Sequence, residues 1–187
     1  MDNKKDFLYI VIFPPHCGGK HLANLIATHL TSFKEEEYLK YYNTIDKDIT
    51  DNMMFWFNPM AYNTIRWCHG NDAAIRGCLR AIDPDLNPLR KDTIPKIFLI
   101  KLPENNLLYR QKQWNSVKYF KDKIYYDSDF VSRTYNVQTD NIISIQPEDL
   151  FMSKIDSLLD MIYNNVPINI SLCKQMHSIW FDRIKLI

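Results

Sequence analysis

Two of the four glycines in this chain stand together in Gly18-Gly19-Lys20, directly after an apolar run. The surrounding stretch, Tyr9 to Ile26, reads YIVIFPPHCGGKHLANLI. The apolar run stops at Pro14-Pro15, the glycine turn follows, and helical spacing begins behind it. A buried strand that feeds a glycine turn and a helix start is a common way to build an anion site. The first N–H groups of a helix have no acceptor inside it and point at whatever sits in the turn. Glycines let the backbone wrap an oxyanion, and a lysine adds a full charge. The backbone of Gly18–His21 and the charge of Lys20 are therefore the candidate anion contacts, with His16 and Cys17 at the mouth of the turn.

Further ionisable residues follow other apolar runs. His69 closes YNTIRWC and opens the turn His69-Gly70-Asn71-Asp72, with Asn71 or Asp72 as a helix cap. Lys101 lies in KIFLIKL before Pro103, and Arg110 comes somewhat later. His16, Cys17, His21, Cys68 and His69 are also zinc-ligand types. Their spacings match no standard zinc module, so no metal is expected. Phe55, Trp56 and Phe57 read as core or as the wall of an acceptor pocket.

Periodicity supplies the elements that must hold these groups. Phe7–Phe13 reads as a buried strand and Gly19–Phe33 as a helix with Leu22, Leu25, Ile26, His29 and Leu30 on one stripe. Tyr62–Cys68, Lys96–Leu102 and Asn141–Gln146 read as three more strands. Helices are expected over Ala73–Ile82, over Asn106–Lys121, from Pro147-Glu148-Asp149 through about Tyr163, and over Ser171–Ile184. Lys34–Asn58 is expected to be helical or irregular. Alternating apolar strands and helices predict an α/β fold, a three-layer parallel sheet with helices on both faces. Ligands of such sheets bind beyond the carboxyl ends of the strands, where Pro14, His69, Lys101 and Gln146–Asp149 fall.

Composition bounds the rest. The 187 residues suit a single domain spanning the chain, large enough to bury its own core. Lys plus Arg (23) nearly balances Asp plus Glu (22), which argues against a general nucleic-acid coat. The four cysteines form no C-x-x-C pair, and the N-terminal apolar run is too short for a signal core or a membrane span. Reduced thiols and a cytoplasmic setting, with no membrane association, are the expectation.

The nucleotide-triphosphate loop G-x-x-x-x-G-K-[ST] would place Pro14 where its first glycine belongs and His21 where its Mg²⁺-binding hydroxyl belongs. A different pattern fits better. Pro15, Gly18 and Leu22 fall on P-x-x-G-[ST]-[ST]-x-L, so the turn resembles the 5′-phosphosulfate loop of sulfotransferases that use 3′-phosphoadenosine 5′-phosphosulfate (PAPS). Gly19 and Lys20 stand at the usually hydroxylic positions. The stretch Ile142 to Phe151 resembles that family's strand, Y-E-D-L and helix. His177-x-x-Trp180 resembles the short sulfotransferase-like proteins of bacteriophages and marine bacteria. His69 ends the second strand where that family commonly has K-T-H, so the resemblance touches four separated points and spans most of the chain.

It implies a P-loop fold, PAPS as donor, no metal, and a small-molecule, glycan or protein acceptor. It further implies that Lys20 stabilises the leaving group and that His69 is the general base. Lys101 and Arg110 would hold the 3′-phosphate, where the family more often has an Arg and a Ser. Two other readings stand beside it: a non-catalytic protein, such as a phage structural or interaction module that keeps the scaffold, and a nucleotide or small-molecule kinase with a degenerate loop.

Overall fold

In a computed structural model, residues 6–14, 17–30, 64–80, 92–102 and 124–184 are described, together with Glu36 and Asp85. Pro15, His16, Arg110, the helix expected over 106–121 and the aromatic cluster at 55–57 lie outside the described residues.

The chain is α/β. Four strands, β1 (Phe7–Phe13), β2 (Ile65–His69), β3 (Ile94–Ile100) and β4 (Ile142–Ile145), form one all-parallel sheet in the order β2-β1-β3-β4. Among the described residues are also the α-helices α1 (Gly19–Ala27), α2 (Asp72–Leu79), α3 (Ser128–Tyr135), α4 (Pro147–Leu150), α5 (Asp156–Tyr163) and α6 (Ile170–Ile184), and a short 3-10 turn, Thr139–Asn141, that leads into β4.

β1 is apolar throughout because both its faces are covered. Tyr9, Val11 and Phe13 join a core with α1, α5 and α6, whereas Leu8, Ile10 and Ile12 join another with α2 and α3. α1, on the way from β1 to β2, lies on one face. α2, on the way back from β2 to β3, lies on the other, as right-handed crossovers in opposite directions require. α1, after β1, and α3, between β3 and β4, thus pack in cores on opposite faces, the arrangement that in open parallel sheets sets the ligand position at the carboxyl ends of the two neighbouring strands.

Several boundaries differ from the sequence expectation. α1 stops at Ala27, not Phe33. Thr28 Oγ1 donates to Leu25 O (2.7 Å), and the N–H groups of Thr28, His29 and Leu30 bond three residues back, which tightens and ends the helix. β3 begins at Ile94, because Pro95 pairs opposite Leu8 and does not break the strand. α2 starts on the Asn71 cap, whose Oδ1 accepts from Ala74 N–H, and ends at Leu79, short of Ile82. The helix expected to run from Pro147 to Tyr163 is two helices, α4 and α5, because the Phe151 N–H turns back to Glu148 O. α3 was not expected. Its signals are local: Asp127 caps it through Phe130 N–H, and Asn136 ends it in the left-handed region at φ 53°.

Two glycines have opposite environments. A Cβ on Gly19 would sit 1.9 Å from the Phe13 ring, whereas one on Gly77 would meet nothing within 4 Å. Gly19→Ala should therefore destabilise the fold by about 2 kcal/mol or more through overpacking. Gly77→Ala should stabilise it by about 0.5–1 kcal/mol, since alanine is the better residue inside a helix. Urea unfolding of both variants beside the wild type measures the two signs.

Candidate functional site

The glycine turn is built from the end of β1 upward. The Cys17 N–H bonds back to Pro14 O at 3.3 Å, which folds the chain over the strand end. Gly18 then takes φ 73°, a left-handed conformation that side chains rarely adopt, and serves as the N-cap of α1. The Leu22 N–H bonds to Gly18 O at 3.0 Å, so the helix starts at once. Its first-turn N–H groups, on Gly19, Lys20 and His21, are directed by the helix toward its start. On its inner side the turn is packed: Trp180 and Leu150 lie 3.5–3.6 Å from where a Gly18 Cβ would sit. Cys17 is fully buried. Gly18 and Lys20 are half-buried and form its outer side.

β2 pairs with β1 so that Trp67 stands opposite Val11 and His69 opposite Phe13. Alternate residues share a face, so Trp67 and His69 lie on the face that carries α1. The His69 ring meets Phe13 edge-on at 4.9 Å, and Phe13 lies 5.8 Å from Trp67. His69 Nδ1–H donates to Phe13 O at 3.3 Å, so the neutral ring carries its lone pair on Nε2. The Lys20 ammonium sits 4.9 Å above the Trp67 ring, a contact worth about 0.5–1 kcal/mol at an exposed site. Phe13, Lys20, Trp67 and His69 thus form one group where β1 and β2 end. Trp67 escaped sequence reasoning, although its place two residues before His69 on a strand was a readable signal.

The turn past His69 is held from the opposite face of the sheet. The Gly70 N–H donates to Tyr126 Oη at 3.1 Å, and a Cβ on Gly70 would lie 2.6 Å from that ring. On the other flank of β1, Lys101 follows β3, with its N–H bonded to Ile145 O at 2.9 Å. Because β1 lies between β2 and β3, His69 and Lys101 flank the glycine turn on opposite sides.

The His21 side chain lies away from the turn. It is fully buried and stacks on Trp180 at 4.2 Å with ring planes 4° apart. His177 Nε2–H donates to Met152 O at 2.7 Å, which leaves His177 Nδ1 to accept from His21 Nε2–H at 3.1 Å. Burial, and then the neighbouring His177, push the His21 imidazole well below its usual range, and burial lowers His177. At the other end of α1, Thr28 Oγ1 accepts the Asn169 N–H at 3.0 Å and contacts Cys173 Sγ at 3.3 Å. α1 is therefore fastened to α6 at both ends, and any part of His21 in anion binding belongs to its backbone.

Among the described residues no group of three or more His, Cys, Asp or Glu could hold a metal ion, and no helix is long and apolar enough to cross a membrane. No family model matches the chain, and no curated protein or solved structure matches it significantly.

The buried imidazoles fix a pH dependence. Their folded pKa values lie below the unfolded value of about 6.5, so the unfolded chain takes up protons first as pH falls. Stability should be level above about pH 6.5 and fall below it, by up to about 1.4 kcal/mol per pH unit for each such ring. His177→Gln keeps a donor toward Met152 and an acceptor toward His21 but cannot titrate. Melting curves between pH 7.5 and 5 should give it a shallower slope than the wild type; an equal slope would remove His177 from this account.

Proposed function

We propose that this chain is a P-loop-type, three-layer sulfotransferase-like enzyme that moves a sulfuryl group from PAPS to an acceptor hydroxyl or amine. The observation that carries the reading is the contact of His69 with Phe13 at the foot of the glycine turn. It supports a role for His69 as proton acceptor next to a helix start of the kind that favours anions. The fit to an anion rests on three features: the left-handed Gly18 cap, a helix of nine residues behind it, and the Lys20 charge on the outer side of the turn.

The backbone N–H groups of Gly18–His21 would bind the 5′-phosphosulfate, as α1 favours negative charge at its start. The acceptor oxygen or nitrogen attacks sulfur in line. Its bond to sulfur forms as the bond from sulfur to the bridging oxygen breaks, and the electron pair leaves with the nucleotide phosphate. Lys20 stabilises the charge that grows on that oxygen. His69 Nε2 takes the acceptor proton, while the Nδ1–H bond to Phe13 O holds the ring in the tautomer that can do so. Lys101 and Arg110 would hold the 3′-phosphate. Cys17, fully buried, would shape the turn from within. Free thiols at all four cysteines suit a reducing, cytoplasmic setting.

A second reading keeps the scaffold without turnover, as a binding or interaction protein. The packing of Trp180 and Leu150 against the inner side of Gly18 favours it, because it narrows the turn.

Thermal shift separates these readings from a kinase. PAPS or its desulfated product, at about a hundred times its Kd, should stabilise the chain by about 2.7 kcal/mol without Mg²⁺. That corresponds to roughly 5–10 °C for a chain of this size. Lys20→Ala should lose most of the shift. His69→Asn should keep the shift and lose at least about a hundredfold in turnover, the scale of general-base catalysis. A shift with turnover supports the enzyme, and a shift without turnover supports the binding protein. A shift from ATP alone, dependent on Mg²⁺, would replace both with the kinase.

A further inference from the structure

The proposed reaction gives parts to Lys20 and His69 and none to Trp67. Yet the indole lies beside both. Its ring is 4.9 Å from the Lys20 ammonium and 6.4 Å from the His69 ring, with the two ring planes at 75°. Phe13 lies 5.8 Å away, and parallel pairing sets Trp67 opposite Val11. The indole is thus fixed by the sheet, whereas the ammonium rides on a long flexible stem.

α1 directs the Lys20 side chain back toward the helix start, the same way it directs the first-turn N–H groups. Keeping the end of such a chain in one place costs entropy. A carboxylate could hold the ammonium there, but it would also cancel the charge. An aromatic face attracts the cation through its quadrupole and carries no net charge. The ammonium keeps its positive charge, and the N–H groups turned away from the ring remain donors.

We propose that Trp67 is a positioning residue for the anion seat, holding the Lys20 ammonium on the His69 side of the glycine turn with its charge available to a tetrahedral oxyanion. The role rests on the anion seat of the sulfotransferase reading, although it does not require turnover. The oxyanion meets the amides of α1 on one side and the ammonium on another. Because the lysine is placed beforehand, binding does not have to order it. Trp67 touches no ligand in this role and acts through Lys20.

A double-mutant cycle on Lys20 and Trp67 tests the role, read by NMR titration with 3′-phosphoadenosine 5′-phosphate and separately with inorganic sulfate. Trp67→Leu should weaken binding roughly two- to fivefold, the scale of a cation–π contact outside a fully desolvated site. Trp67→Phe keeps a ring and should recover part of the loss. In the Lys20→Ala background, Trp67→Leu should cost nothing further. The wild-type protein supplies a reading that needs no variant to fold. The indole ring current should hold the Lys20 ε-methylene protons upfield of those of other lysines, and saturation with the nucleotide should leave them there. Equal losses in the two backgrounds, tighter binding by Trp67→Leu, or ε-methylene protons at the ordinary lysine position would overturn the role. Binding of sulfate without the nucleotide would sink the PAPS reading alone, and the cycle with sulfate would then decide the part of Trp67. Binding of neither anion would overturn both.

Discussion

The contact on which the site depends is the seat of Gly19 on the Phe13 ring. No Cβ fits between them, so the start of α1 lies directly on the last residue of β1. The same ring meets Trp67 on one side and His69 on another, and the Phe13 carbonyl takes the His69 Nδ1–H. One aromatic residue thus sets the height of the helix start, the wall under Lys20 and the orientation of the imidazole. Parallel pairing of β1 with β2 brings His69 opposite Phe13 and no other residue.

The opposite side of α1 is held as firmly. A run of hydrogen bonds passes from His21 through His177 to the Met152 carbonyl, and Trp180 lies flat on the first ring. Two buried imidazoles would be costly if charged, so both stay neutral and each spends its one N–H on a partner. With Thr28 bridging to Asn169 and Cys173 at the other end, α1 cannot shift along the sheet without breaking buried polar bonds. Such bonds are worth more for fixing one arrangement than for net stability. The anion seat proposed at the start of α1 would benefit from that fixation.

Much of this was legible in the chain itself. β1 spans Phe7–Phe13 as its apolar run announced, and the Asn71 cap was readable from its place in the turn. The adjacency of His69 to the glycine turn followed from the expectation that strand ends converge. The direction of His21 was not legible. Its neighbours in sequence belong to the glycine turn, but helical geometry carries its side chain toward α6, and the partner, His177, lies 156 positions away. His177 and Trp180 stood out in the sequence as a pair, yet nothing local says that they close over α1. α3 was missed because its apolar face is short; only Val131 is buried, so periodicity was weak and the caps carried the signal.

The central claim is that Phe13 and Gly19 build an oxyanion seat within reach of His69. An amide NMR titration with 3′-phosphoadenosine 5′-phosphate in EDTA tests it most directly. The account predicts saturable movement of the Gly19, Lys20 and His21 amides together with the His69 ring resonances, at one nucleotide per chain. Unmoved amides at the start of α1, or movement confined to a distant surface, would contradict it.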